Sequence, residues 1–239
     1  MHRCLPVLLL LSMGCPPPKP IPGVVRPGPG EPFLESLPGP MPGFGPFDSY
    51  SDALMASCPL ILSKPNATAG RLDQQDFQLR WRISNEYCGW LYYTPDHQYE
   101  MSMLTDQAEL DPLNRWKSCK LPPLVSDRRY PSSNLKYIVA LHNHPFENIL
   151  SDRDIRFIAA MGSLHGFAAE TQAGRIPISI IAYFSRSNDP SSPACDGFFE
   201  YIPLTGTVTK WTHTGSTWAQ ERIGVIEWIN EEKYDFRRE

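Results

Sequence analysis

Proline decides where this chain can build regular structure. About half of its 25 prolines fall between Pro16 and Pro46, interleaved with glycine in runs such as Pro27-Gly28-Pro29-Gly30. Each proline fixes φ and removes a backbone donor, so this stretch can hold neither a helix nor a central strand. We read it as a tether, extended at about 3.1 Å per residue where it takes the polyproline II form. An ordered arm packed on the domain is the alternative. The folded part is then expected at 47–239. With 41% hydrophobic and 20% charged residues, the chain has the apolar material for a core. A net charge of −4 lacks the basic footprint of a nucleic-acid binder, so no nucleic-acid partner is expected.

The N-terminus reads as an export signal. Met1-His2-Arg3 is followed by an apolar run, Leu5 to Met13, too short for the roughly 20 residues of a membrane span. The run closes in Leu11-Ser12-Met13-Gly14-Cys15, which resembles a bacterial lipobox and makes Cys15 a lipidation site at the start of the mature protein. Ser12 and Met13 depart from the usual residues. A plain secretory signal, or an apolar terminus that is no signal, are the alternatives. On the lipobox reading, 1–15 is a signal peptide and the protein is exported and held on a bacterial membrane by a lipid anchor. Beyond it lie Cys58, Cys88, Cys119 and Cys195, which allow two disulfides in three connectivities. No CxxC spacing points to a four-cysteine metal site.

Within 47–239, Ser51 to Leu62 has helical spacing, with Ser51 or Asp52 as cap and Pro59 perturbing it. Asp73 to Ile83 reads as a second helix or an extended approach to the next strand. Cys88–Thr94 and Gln98–Leu104 make a hairpin around Pro95-Asp96. Asp106 to Ser133 is a long polar connection. Tyr137 to Leu141 is an apolar run of the buried-strand type, and a helix opens at Ser151 and runs to about Leu164. Ile176–Phe184 is another strand, Phe198–Leu204 and Gly206–Trp211 a final hairpin, and Trp218–Asn230 an exposed helix or an edge strand. The pattern is a mixed α/β sheet flanked by helices.

The chemistry gathers where the apolar strand ends in His142-Asn143-His144-Pro145. Residues i and i+2 of a strand point to one side, so the two imidazoles can converge on one ion. The chain turns after Pro145, and the first turn of the next helix can bring Asp154 back over them. Two histidines and an aspartate fill three positions of a tetrahedral Zn²⁺ site and leave the fourth for water, the layout of a catalytic centre. Zinc lowers the pKa of bound water from about 15.7 to roughly 7. Glu86, just before the Cys88–Thr94 strand, is the candidate general base. Ser151 offers a hydroxyl to the oxyanion of a tetrahedral intermediate.

His142-x-His144-Pro145 followed by Ser151-x-x-Asp154, with Glu86-x-Cys88-Gly89-x-Leu91 upstream, resembles the JAB/MPN/JAMM zinc metallopeptidases. The resemblance covers about Asp73 to Phe184. It implies a cytidine-deaminase-like mixed sheet, zinc on His142, His144 and Asp154, Glu86 acting on the metal-activated water, and Ser151 assisting the transition state. It implies cleavage of peptide or isopeptide bonds, often of ubiquitin-like proteins, and some bacterial relatives look like secreted or toxin-associated peptidases. Five residues separate Pro145 from Ser151, one fewer than is commonest in the family, which leaves Asp152 as an alternative ligand.

Each part alone has a plainer meaning. Ser151-x-x-Asp154 is close to an ordinary capping box, and a lone HxH is weak. Amidohydrolase and PHP barrels, which also place HxH after a strand, need about 250 residues with the motif near the start, whereas 95 follow His144. In HNH nucleases the three residues are dispersed. The joint pattern therefore reads as an exported, lipid-anchored zinc hydrolase with a protein or peptide substrate. A metal-free MPN scaffold used for binding is the alternative, as is a toxin-type effector with an unknown immunity partner.

Overall fold

The computed structural model describes residues 19–108 and 116–239. Cys15 and the rest of the signal-like segment lie outside them. Along the chain run β1 (Val24–Val25), β2 (Ser36–Gly39), α1 (Tyr50–Leu62), α2 (Phe77–Ile83), β3 (Cys88–Tyr93), β4 (Tyr99–Met101), β5 (Leu104–Thr105) and β6 (Leu124–Asp127). They continue with β7 (Lys136–Asn143), α3 (Asp152–His165), β8 (Ala168–Thr171), β9 (Gly174–Pro177), β10 (Ser179–Phe184), β11 (Gly197–Ile202), β12 (Thr207–Thr214), β13 (Thr217–Trp228) and β14 (Tyr234–Arg238).

Ten strands form one mixed sheet in the order β1-β5-β3-β7-β10-β11-β12-β13-β14, with β4 paired to β3. The centre is β7, antiparallel to β3 and parallel to β10. That place explains its sequence: a strand covered on both faces reads as a continuous apolar run. Side chains alternate between two cores. Trp90, Ala140, Ile180 and Phe184 pack with Ile155 and Ile158 of α3. Leu91, Val139, Ile181 and Tyr183 pack with Ala53, Ile61 and Leu62 of α1. Helix α3 starts at the Ser151 cap and buries Ile155, Ile158 and Gly162. A Cβ on Gly162 would lie 2.6 Å from the Phe167 ring, so any larger residue there has to displace that ring.

The proline-rich stretch is not a free tether from Lys19 onward. β1 pairs in parallel with β5, and β2 with β6. Leu37, Met41 and Phe44 are buried in the two cores. The exclusion of proline from central strands holds, but short edge strands tolerate it, and the apolar residues between the prolines supply the burial. Trp218–Asn230 also resolves: β13 is a strand, and it lies inside the sheet between β12 and β14. Of the three cysteine pairings, the structure has Cys58–Cys195 and Cys88–Cys119.

Candidate metal centre

Strand β7 delivers His142 to the face covered by α3, following Ala140, and His144 lies one residue past the strand on the same side. Both are buried, and their Nε2 atoms are 3.1 Å apart. Asp154 reaches them from the first turn of α3, with Oδ1 3.5 Å from His142 Nε2 and Oδ2 3.7 Å from His144 Nε2. Donors around a tetrahedral ion with bonds of about 2.0–2.1 Å stand about 3.3–3.4 Å apart. The two Nε2 atoms are close to that spacing, and the Asp154 carboxylate, whose nearer oxygen differs for each ring, has to turn to bring one oxygen onto both. Among the described residues, these three side chains are the group that could hold a metal ion. Asp152, the alternative ligand, is exposed and pairs with Arg156 at 2.7 Å.

The surrounding hydrogen bonds aim the lone pairs. His144 Nδ1 is 2.8 Å from the Asn148 carbonyl, and the His142 ring is bonded to the carbonyl of Ile181. A carbonyl only accepts, so the nitrogens facing outward carry the hydrogens, and in the neutral rings the Nε2 atoms keep their lone pairs. Two lone pairs and a carboxylate then face one another, a cluster short of positive charge. Burial lowers the His142 pKa to about 4, partly opposed by Asp154. Burial also works against charge on His144, but the facing Asp154 carboxylate and the nearby Glu86 outweigh it, so the His144 pKa is raised. Burial disfavours the Asp154 anion, yet the two imidazoles and Ser151 hold its carboxyl well below the usual range. At neutral pH His142 offers a free lone pair and Asp154 a full charge, the states a divalent cation requires.

Ser151 caps α3 in a full capping box: it accepts from the Asp154 backbone at 3.3 Å, and the Asp154 carboxylate accepts from the Ser151 amide. Its hydroxyl also donates to Asp154 Oδ2 at 2.7 Å. Both Ser151 donors fall on Oδ2, which leaves Oδ1 available. The helix cap and the candidate metal ligand are thus the same carboxylate used on two sides. The Ser151 hydroxyl would have to leave Asp154 before it could donate to an oxyanion.

The triad opens into a cleft of about 790 Å³. Glu86 lines it from the segment between α2 and β3, with the aromatic side chains of Phe77, Trp81, Phe146 and Phe157. Burial raises the Glu86 pKa from 4.5 to about 7, moderated by His144 and Lys117 and reinforced by Asp154. Lys117 sits over the Trp81 ring at 5.0 Å and donates to the Arg82 carbonyl at 2.9 Å. The Cys88–Cys119 disulfide ties the wall that bears Lys117 to β3, and both cysteines line the cleft. Behind the site, Glu147 is pinned by Arg186 and Lys210, and the Ala69 amide donates to the Pro145 carbonyl at 2.6 Å, which fixes the turn after His144.

Sequence reasoning named Glu86, His142, His144, Ser151 and Asp154, and the fold brings all five to this cleft. It missed Lys117, Asn143 and Asn148. His165, at the end of α3, stacks on Tyr137 at 3.8 Å and bonds the Pro123 carbonyl, and burial lowers its pKa. The chain matches no protein-family model, no curated protein and no solved structure.

Proposed function

We propose that this protein is a zinc-dependent hydrolase of amide bonds, working in the manner of the JAB/MPN metallopeptidases on a peptide or isopeptide substrate. One observation carries the reading: two imidazoles and an ionised carboxylate converge at the floor of an open cleft, with a separate half-buried carboxyl beside them. A structural metal site would be closed and four-coordinate, whereas three protein donors facing a cleft leave room for solvent and substrate.

Bound there, zinc supplies a Lewis acid and makes water a nucleophile near neutral pH. His142, His144 and Asp154 would hold it. Glu86 is outside the donor triangle and poised near pH 7, which suits a group that takes a proton from attacking water and returns it to the departing amine. Hydrolysis then balances: the hydroxyl adds to the carbonyl carbon, the C–N bond breaks, and the proton held by Glu86 goes to nitrogen. Ser151 keeps Asp154 oriented. The aromatic walls suit the flanks of an extended peptide.

Two disulfides favour an oxidising, exported setting. We extend this to anchoring by a lipid on Cys15.

The test is metal analysis of the purified chain together with turnover of an internally quenched peptide library and an isopeptide-linked substrate. One zinc per chain, lost together with turnover in His142→Ala and His144→Ala, is expected. Metal-free protein that retains partner binding would leave the scaffold reading instead.

A further inference from the structure

Asn143 stands between the two histidines, and strand alternation turns its side chain to the opposite face of the sheet. It is fully buried, in a strand whose other interior residues are apolar except for His142. Burying an amide is costly unless it is bonded, and here two of the three bonds go to one short segment. Its Nδ2 donates to the Asn85 carbonyl at 3.0 Å and the Ala67 carbonyl at 2.6 Å, and its Oδ1 accepts from the Tyr87 amide at 2.7 Å. The Asn85 carbonyl belongs to the peptide before Glu86, and the Tyr87 amide to the peptide after it. Both backbone links of Glu86 are therefore fastened to the residue that separates the two imidazoles.

The fastening is needed because the sheet does not reach that far. The β3–β7 ladder ends at the Cys88–His142 pair, and α2 ends at Ile83. Between them the backbone of 84–87 has no ladder partner on β7, and the Asn143 side chain takes the place of one. The Asn85 amide adds a bond to the Asn66 carbonyl, and the Tyr87 hydroxyl one to the Pro65 carbonyl. These join the same segment to the loop that buttresses Pro145.

We infer that Asn143 is a positioning residue that fixes the distance between the Glu86 carboxyl and the His142–His144–Asp154 triangle. This rests on the hydrolase reading above. It predicts that Asn143 acts on proton transfer and leaves metal binding alone, since none of its bonds goes to a ligand. Misplacing a reacting group by about 1 Å can cost on the order of 100-fold in rate.

Two variants of the full chain test it. Asn143→Ala removes all three bonds, and Asn143→Asp keeps an acceptor for the Tyr87 amide while losing both donors. Each is measured for zinc content, for kcat and KM on the best-cleaved library peptide, and for hydrogen exchange of the Tyr87 backbone amide in the zinc-free protein. We expect one zinc per chain, a fall in kcat on the order of 100-fold with KM changed less than about threefold, and faster exchange of the Tyr87 amide in Asn143→Ala, where it loses its acceptor. An unmoved Tyr87 exchange in Asn143→Ala, an unchanged kcat in both variants, zinc loss in step with activity, or failure of both variants to fold overturns the inference. If wild type cleaves nothing, the hydrolase reading fails, and amide exchange still decides whether Asn143 holds the segment that carries Glu86.

Discussion

Glu86→Gln should make the metal-free protein more stable at alkaline pH while abolishing turnover. Glu86 keeps its proton up to about pH 7 in the folded chain, against an ordinary value of 4.5. Between those values the folded state binds more protons than the unfolded one, so stability falls as pH rises from 4.5, and the full penalty is present above 7. At about 1.36 kcal/mol per pKa unit this displacement amounts to ~3 kcal/mol. Glu86 is half-buried and lines an open cleft, so about 1–3 kcal/mol is the range to expect. Glutamine has nearly the same shape and no charge to desolvate, so the variant loses the pH-dependent part. The assay is urea denaturation of the metal-stripped, disulfide-intact protein at pH 4 and pH 8.5. The gain should be near zero at pH 4 and reach its full size at pH 8.5. Zinc-loaded Glu86→Gln should retain one metal per chain and no measurable turnover. A variant no more stable than wild type at pH 8.5, or equally stabilised at pH 4, would refute the claim that burial of this carboxyl sets its acidity. Full activity in the variant would remove Glu86 from the mechanism.

Ser151→Ala should destabilise the domain by about 1 kcal/mol through loss of the helix cap. It should also weaken zinc binding, because the Asp154 carboxylate loses a donor at 2.7 Å; a denaturation curve and a competitive zinc titration read the two effects, and an unchanged zinc affinity would show that the cap does not orient the ligand. Cys15→Ser should release the protein from the membrane fraction, and a variant that still sediments with membranes would contradict the lipid anchor.

The parts of the site that were legible in the sequence are those whose signals are local. Five apolar residues from Tyr137 to Leu141 announce a buried strand, the i, i+2 spacing of His142 and His144 puts both rings on one face, and Ser151 with Asp154 marks a helix start. Asp154 rather than Asp152 follows from the cap: position N3 turns the side chain back over the N-terminus, while Asp152 faces solvent and Arg156. Asn143 was visible as a polar residue in an apolar strand, but its partners at 67, 85 and 87 are brought to it only by the sheet. Lys117 gave no signal, since it reaches the cleft through a long connection closed by the Cys88–Cys119 bond. The arm at 19–46 was misread because proline content was weighed without the spacing of Val24, Leu37, Met41 and Phe44. Those residues find pockets only once β5, β6 and α1 are in place. The cysteines announced two disulfides, but their pairing depends on which strands are neighbours.

The most direct test is X-ray absorption at the zinc edge on the metal-loaded, disulfide-intact chain. Two imidazole nitrogens at about 2.0–2.1 Å, further light-atom scatterers at about 2.0–2.2 Å and no sulfur are the predicted shell, with the imidazole signal lost in the His142→Ala, His144→Ala double variant. A chain that takes up no stoichiometric zinc, or a shell containing sulfur near 2.3 Å, would contradict the site on which the hydrolase reading is built.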